Sequence, residues 1–201
     1  MISEDEDIKC MLAFRAGGDI CFEKILKKYE KPLINFVYRF IGNKTEAEDI
    51  AQEVFLRVYK SKNKYEPRAK FSTWLYRIAA NICIDYRRKP ANKLHASTDS
   101  LDKPIVRDEN EITSEIADAS KNLQENILEQ KLINETIMSA LILLPTNQRI
   151  ALTLCVYENK SYREISEILG CSVSSVESLL FRSRQTLRKN WLFYKKNDKS
   201  V

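Results

Sequence analysis

Apolar residues recur at helical spacing through the first part of the chain. After Thr45 they fall at i, i+3, i+4, i+7, i+8 and i+11, namely Ala47, Ile50, Ala51, Val54, Phe55 and Val58. This spacing is typical of the buried stripe of an amphipathic helix. Thr45 and Glu48 stand three positions apart, as in a capping box, where each side chain bonds the other residue's backbone N–H. The pattern therefore predicts a helix that begins at Thr45.

Two further helices are predicted around this one. An earlier helix is predicted over about residues 21–41, where aromatic and aliphatic residues repeat with the same period. A later helix is predicted to use Ser72 as its N-cap. It should end near Lys89, because Pro90 disfavours the helical conformation in the residue before it.

The periodic pattern lapses after Pro90 and resumes at Ile127. The intervening stretch is rich in Ser, Asp, Glu and Asn, which predicts a flexible linker. No stretch shows sustained strand alternation. We therefore predict an all-α fold with two helical domains, residues 1–90 and 123–201, joined by a linker over residues 91–122.

The sharpest motif runs from Tyr162 to Phe181. Ser161 and Glu164 form another capping box, and Gly170 stands at the ninth position from Tyr162, where a tight turn needs a positive φ. Apolar residues occupy the fourth, eighth, tenth, fifteenth and eighteenth positions, which are Ile165, Leu169, Cys171, Val176 and Leu179. This spacing predicts a helix-turn-helix. The exposed face of its second helix would hold Ser174, Ser175, Ser178 and Arg182.

Glu177 lies on the same predicted recognition helix and has two interpretations. A carboxylate repels phosphate but can accept a hydrogen bond from cytosine N4 in the major groove. Alternatively, Glu177 forms a local salt bridge with Arg182 or Arg184. The sequence leaves both open.

Charge is distributed in blocks. The net charge is +5, but Arg57 to Lys93 carries eleven Lys or Arg against two acidic residues. Asp99 to Asp118 carries seven acidic residues against two basic ones, and Arg182 to Lys199 carries seven basic residues against one acidic. Two basic blocks separated by an acidic one suggest two surfaces for one polyanion.

Other chemistry is disfavoured by the composition. The five Cys have no Cys-x-x-Cys spacing, His95 is the single His, and no Gly-rich phosphate loop is present. We therefore expect no metal site, no cofactor and no enzymatic activity. The acidic start of the chain and the lack of a long apolar run predict a cytoplasmic protein without membrane insertion.

The first half offers two candidate surfaces. The helix after Thr45 exposes a second face, which suits a protein partner, although a merely solvated face is the alternative. That face consists of Asp49, Gln52, Glu53 and Leu56.

The following segment interleaves basic and aromatic residues, a pattern that suits single-stranded nucleic acid. These residues are Lys62, Lys64, Tyr65, Arg68, Lys70, Phe71 and Trp74, of which Trp74 is better read as core. The next helix exposes Arg77, Asn81, Asp85 and Arg88, and Asn81 suits a base contact.

Motifs from both halves resemble those of bacterial sigma factors. DIAQEVF at 49–55, FSTWL at 71–75 and the stretch 77–88 resemble region two. Leu144-Pro145, SYREI at 161–165 and VESLLFRSR at 176–184 resemble region four. With these two regions alone, joined by a short linker, the chain resembles an extracytoplasmic-function (ECF) sigma factor.

The resemblance implies a transcription initiation subunit with core RNA polymerase, promoter DNA and an anti-sigma factor as partners. Polymerase docking would fall to Asp49, Gln52, Glu53 and Leu56. The minus-10 element would be read and held open, with one base flipped into a pocket, by Lys62, Lys64, Tyr65, Arg68, Lys70, Arg77, Asn81, Asp85 and Arg88. The minus-35 element would be read by Ser174, Ser175, Glu177, Ser178, Phe181, Arg182 and Arg184. The polymerase flap tip would sit on an apolar groove of region four. Many members carry a basic residue where this chain has Glu177.

Two rival functions remain. A helix-turn-helix regulator with a ligand-binding or dimerisation domain would explain residues 127–189, but not the basic-aromatic block at 61–88. A helical adaptor that binds only proteins would show no salt-dependent DNA affinity.

Overall fold

The computed structural model describes residues 5–89 and 132–197. Those ranges contain eight α-helices, one 3-10 turn and no strand, which confirms the all-α prediction. The predicted linker and the resumption of periodicity at Ile127 lie outside the described residues, as does His95. The helices are α1 Glu6–Arg15, α2 Asp19–Ile41, α3 Lys44–Lys60, α4 Phe71–Arg88, α5 132–142, α6 Thr146–Val156, α7 Tyr162–Leu169 and α8 Val173–Asn197, with the 3-10 turn at Lys62–Lys64.

Helices α1 to α4 form the first unit around a core of aliphatic and aromatic side chains. All six residues of the predicted α3 stripe are buried. They pack chiefly against α2, whose own inner face includes the fully buried Leu33, Phe36 and Val37. The outer face of α3 is therefore left for other contacts.

The predicted starts of two helices are wrong. Helix α3 begins at Lys44 because Asn43, an N-cap at least as favourable as Thr, accepts the Glu46 N–H at 3.1 Å. Helix α4 begins at Phe71 without a side-chain cap, and Ser72 lies in its first turn. The Phe71 ring is fully buried, so core packing, rather than capping, fixes this start.

Helices α6 to α8 contain the predicted helix-turn-helix. Ser161 and Glu164 form the capping box in both directions, and Gly170 ends α7 at φ 65°, as the motif requires. Ile165 and Val176 are fully buried between the two helices. The other predicted apolar positions are half-buried against the same core.

The two units pack against each other. Helix α4 contacts α7, and α2 contacts α6, so the buried residues of both units form one continuous core. Gly42 ends α2 at φ 87°, and a Cβ there would lie 2.8 Å from Cδ1 of Ile142 on α5. Glycine thus serves both the turn and the close approach of α5.

Candidate nucleic-acid and protein interfaces

The outer face of α3 is exposed, as predicted. Asp49, Gln52 and Leu56 are exposed, and the Leu56 side chain retains 52% of its accessible surface. Glu53 is half-exposed and accepts a hydrogen bond from Arg57 Nε at 2.9 Å. A single exposed leucine is ordinary on a protein surface, so the significance of this face depends on what lies beside it.

A groove between α2 and α3 extends this face. It has a volume of about 730 Å³ and is lined on its apolar side by Phe22, Leu26, Ile34, Phe55, Leu56 and Tyr59. Gln52 also lines it, while Glu23, Lys27, Glu30 and Glu48 supply charge. The sequence predicted that the α2 residues lie in a helix, but it did not predict that they line this groove. An indication was present, because α2 carries more apolar residues than one buried stripe needs.

The aromatic residues after α3 form a cluster rather than an exposed platform. The Tyr65 ring is buried and lies 4.8 Å from that of Trp74 and 6.2 Å from that of Phe71, centroid to centroid. Burial raises the pKa of the Tyr65 hydroxyl to about 12. A base cannot stack on the Tyr65 ring in this arrangement, because the ring is buried in the core.

A pocket of about 570 Å³ opens beside this cluster. Its lining combines Trp74 and Thr73 with the basic side chains of Lys64, Arg68 and Arg77 and with the carboxylates of Glu66 and Glu167, of which Glu66 pairs with Arg68 at 2.6 Å. Trp74 is only half-buried, so it packs on Tyr65 and also contributes to the pocket wall. The structure thus assigns Trp74 both to the core and to an accessible surface.

The remaining basic residues of this segment point to different neighbours. Lys62 Nζ lies 4.5 Å from the ring centroid of Phe14 and 5.0 Å from that of Tyr59, which directs it toward α1. Lys70 Nζ pairs with Glu164 Oε1 at 3.0 Å. The structure therefore gathers Lys64, Arg68 and Arg77 around one pocket, whereas Lys62 and Lys70 do not line it.

Helix α4 presents its predicted polar line to solvent. Arg77, Asn81, Asp85 and Arg88 are all exposed, with Arg88 Nη1 3.9 Å from Asp85 Oδ1. Asn81 has no hydrogen-bond partner within the described residues, so its amide donor and acceptor both remain available for a ligand.

The second helix of the helix-turn-helix exposes its whole predicted reading face. Its residues Ser174, Ser175, Glu177, Ser178, Phe181, Arg182 and Arg184 are all exposed. Ser172 precedes the helix, and its Oγ accepts the Ser175 N–H at 3.2 Å, which replaces a missing helical partner. Glu177 makes no ion pair within the described residues, so the local salt bridge with Arg182 or Arg184 is not formed.

Asn147 on α6 was missed by sequence reasoning. With Leu169, Cys171, Ser175, Ser178 and Arg182 it lines a cleft of about 350 Å³ beside the reading face. No local pattern marks Asn147, because α6 is brought to this cleft only by tertiary packing.

Metal-ligand clusters, disulfides and membrane-spanning helices are absent from the part of the chain that the structure describes. No group of three or more His, Cys, Asp or Glu that could hold a metal is found within residues 5–89 and 132–197. Their five cysteines are free thiols. None of their helices is long and apolar enough to cross a membrane.

Comparisons with known proteins match both units. Residues 25–93 match the family model described as Sigma-70 region 2, and residues 134–187 match that described as Sigma-70, region 4. The ECF RNA polymerase sigma factor SigW of Bacillus subtilis is 34% identical over 175 residues, which cover 87% of this chain and 91% of SigW. The RNA polymerase sigma-H factor of Pseudomonas aeruginosa is 28% identical, with 94% of this chain and 95% of that protein covered.

Solved structures share the fold. CnrH in complex with the cytosolic domain of CnrY gives a TM-score of 0.61 at 22% identity, covering 90% of this chain and 94% of CnrH. The sigma factor RpoE of Bartonella quintana in complex with the anti-sigma factor NepR gives 0.60 at 20% identity, covering 84% of this chain and 94% of RpoE.

Proposed function

This chain belongs to the extracytoplasmic-function sigma factors of the sigma-70 family, and we propose how its surfaces perform that role. As a sigma factor it directs promoter-specific initiation by RNA polymerase. It acts as a non-catalytic subunit: the polymerase supplies the chemistry, and this chain supplies binding and strand separation. We assign these surfaces because they lie on different helices. The exposed face of α3 is acidic and apolar, whereas those of α4 and α8 are basic.

Core polymerase docks on the α3 face and the adjoining groove. Leu56 links the two, since it belongs to the exposed face and also lines the groove between α2 and α3. Burial of an exposed leucine and of the groove's aromatic side chains provides the apolar centre of an interface. Asp49, Gln52 and Glu53 supply the polar contacts beside it.

The minus-10 element is held by α4 and the segment that precedes it. Arg77 and Arg88 contact phosphates, and Asn81 contacts a base with its amide, which has no hydrogen-bond partner among the described residues. Lys64, Arg68 and Trp74 surround the pocket beside α4, which suits a flipped base because a half-buried indole can stack while basic groups hold the backbone. Trp74 takes the stacking role, since its ring is half-buried whereas that of Tyr65 is buried.

The minus-35 element is read by α8. Its exposed serines and Glu177 face base edges, while Arg182 and Arg184 contact phosphates or position the helix. Glu177 is free of intramolecular ion pairs in the described part of the chain, which favours its role as an acceptor toward cytosine N4.

An anti-sigma factor is a further partner that we propose for this chain. Support comes from the sigma factor RpoE of Bartonella quintana, whose structure was solved in complex with the anti-sigma factor NepR. The groove between α2 and α3 offers such a partner the same apolar surface that polymerase would use, so the two would compete.

The experiment that tests this function is run-off transcription. The full chain is combined with core polymerase on a library of promoters, and sequencing of the transcripts identifies the preferred minus-35 and minus-10 elements. Promoter-specific transcripts that require this chain are expected. Binding to duplex DNA without any dependence of transcription on the chain would favour the helix-turn-helix regulator instead.

A further inference from the structure

Two cysteine side chains meet where α1 packs on α2. Cys10 lies in the middle of α1, and Cys21 lies in the first turn of α2. Both thiols are half-buried, and their side chains are in hydrogen-bonding contact with each other. The function proposed above uses neither thiol, so the pair is a chemical group of the molecule without an assigned role.

Contacts on both sides of Cys10 hold the two helices in this register. Lys28 Nζ pairs with Asp7 Oδ2 at 2.6 Å on one side. On the other side the rings of Phe14 and Phe22 stack with their centroids 4.6 Å apart. The turn that joins the helices spans only residues 16–18, so neither helix can slide far along the other. The fold itself therefore holds the two thiols together.

Exposure and pairing distinguish these thiols from that of Cys83. Cys83 is fully buried on α4, and burial raises the pKa of its thiol to about 12, which keeps it protonated and unreactive. Burial, and then the contact with Cys21, also raises the pKa of the Cys10 thiol. Cys10 therefore suits the resolving role in a thiol pair, which leaves Cys21 as the thiol that meets an oxidant first.

A hydroperoxide can oxidise such a pair in two balanced steps. The Cys21 thiolate attacks one oxygen of the O–O bond, which breaks to give the sulfenic acid of Cys21 and, once the leaving oxygen is protonated, water or an alcohol. The Cys10 sulfur then attacks Cys21 Sγ, so that an S–S bond forms, the S–O bond breaks and water leaves. The two thiols lose two electrons in total, and the hydroperoxide gains them. A dithiol reductant reverses the oxidation.

Phe22 connects the cysteine pair to the groove between α2 and α3. It follows Cys21 in the chain, lines the groove, and packs against Phe14 and Tyr59. A disulfide bond brings two sulfur atoms closer than a non-bonded contact does. The middle of α1 and the first turn of α2 must therefore shift toward each other when the bond forms. Phe22 and its aromatic neighbours move with them, which changes the shape of the groove.

We propose that Cys10 and Cys21 are a hydroperoxide-sensitive dithiol, and that its conversion to a disulfide reshapes the groove between α2 and α3 and weakens the docking of core polymerase. Disulfides that form inside cells are usually transient and serve redox sensing, and this pair has the partial exposure that such a role needs. The effect on docking rests on the assignment of the groove to polymerase, made above, whereas formation of the disulfide does not.

The disulfide is tested on the reduced full-length chain with hydrogen peroxide. Trypsin cleaves after Lys9, Arg15 and Lys24, which places Cys10 and Cys21 on separate peptides, CMLAFR and AGGDICFEK. Once free thiols have been blocked, mass spectrometry should detect these peptides joined and two hydrogen atoms lighter than their sum. Dithiothreitol should separate them again, which distinguishes the disulfide from methionine sulfoxide.

The effect on docking is tested with core polymerase immobilised on a surface. Only the chain is treated with peroxide, which is removed before binding is measured. Oxidation of the parent should weaken binding at least about fivefold, the lower end of typical coupling between two sites, and dithiothreitol should restore it. Cys21→Ala should bind equally before and after peroxide. The matched control Cys155→Ala removes another half-buried thiol, on α6, and should respond to peroxide as the parent does.

The possible failures are distinguishable. Absence of the joined peptides after peroxide would overturn the dithiol site. Joined peptides with unchanged polymerase affinity would overturn the effect on the groove, as would an equal loss of affinity in oxidised Cys21→Ala, because other residues would then cause the loss. Failure of the reduced parent to bind polymerase would instead overturn the proposed function, and the peptide measurement would still decide whether the disulfide forms.

Discussion

The guanidinium of Arg149 donates a hydrogen bond to the main-chain carbonyl oxygen of Phe40 at 2.5 Å, across 109 positions of the chain. Phe40 lies in the last turn of α2, where carbonyl groups lack partners within the helix. The same guanidinium also donates to the carbonyls of Ile142 and Leu144, at the end of α5. One buried cation therefore caps a helix from each unit, where a positive charge complements the helix dipole.

Replacement of Arg149 should destabilise the molecule and loosen the contact between units. Arg149 is fully buried, and its Nε has no hydrogen-bond partner in the described part of the chain, so the stabilisation it gives comes from the three carbonyls. Arg149→Met leaves those carbonyls unpaired, which should cost about 2–3 kcal/mol in the free energy of unfolding. Urea denaturation of the full chain measures the loss. Arg163→Met, at a side chain 87% exposed, is the control and should change stability by less than about 0.5 kcal/mol.

Charge reversal on α3 should separate polymerase binding from folding. Asp49→Lys with Glu53→Lys removes one exposed ion pair, between Glu53 and Arg57, which contributes less than about 1 kcal/mol. The thermal midpoint should stay close to that of the parent, whereas co-purification with core polymerase and promoter-specific transcripts should be lost. The control Glu6→Lys with Glu135→Lys reverses two charges elsewhere. It should retain co-purification with core polymerase and promoter-specific transcripts. Transcription by the α3 variant at the parental level would disprove the docking role.

Asn81→Ala should block promoter opening without blocking assembly. Asn81 is exposed and unpartnered within the described part of the chain, so its loss should leave stability within about 0.5 kcal/mol. Holoenzyme should form normally, but permanganate should detect no unpaired thymines at the promoter. A template with a pre-formed bubble should restore transcription, because strand separation is then already provided. If the bubble template also stays silent, Asn81 acts at another step.

Two substitutions on α8 should affect minus-35 binding in different ways. Arg184→Ala should weaken binding to all DNA sequences and reduce the salt dependence of log K by about one unit of slope, because a phosphate contact is lost. Glu177→Lys should change which base pair is preferred at one position, since an acceptor is replaced by a donor. Both effects can be measured by binding selection on randomised minus-35 duplexes over a range of salt concentrations. Identical preferences for the parent and Glu177→Lys would exclude base reading by this residue.

Periodic patterns predicted the helices well because burial on one face repeats at a fixed interval. The α3 stripe and the capping box of α7 were both confirmed in this way. The start of α3 was missed because two residues, Asn43 and Thr45, can cap a helix, and only the local backbone conformation decides between them. Local signals thus place helices more accurately than they place helix ends.

Exposure of the candidate surfaces was predictable where a helix carries two distinct faces, as on α3 and α8. Exposure could not be predicted for Tyr65. This residue lies outside the helices, where no periodicity separates core from surface positions, and its ring is buried. The contact between Lys70 and Glu164 also could not be predicted, because it joins residues far apart in sequence through packing of α7 on α4. Such contacts leave no pattern in either segment alone.

The position of Trp74 gives the molecule an intrinsic optical reporter. Its indole lies 4.8 Å from the Tyr65 ring and lines the same pocket as Glu167 of α7. Indole emission responds to the polarity and charge around the ring, so any movement of α7 away from α4 changes the fluorescence of Trp74. The chain contains two tryptophans, and Trp191→Phe leaves Trp74 as the single emitter. The contact between α7 and α4 can therefore be monitored in solution without an attached dye.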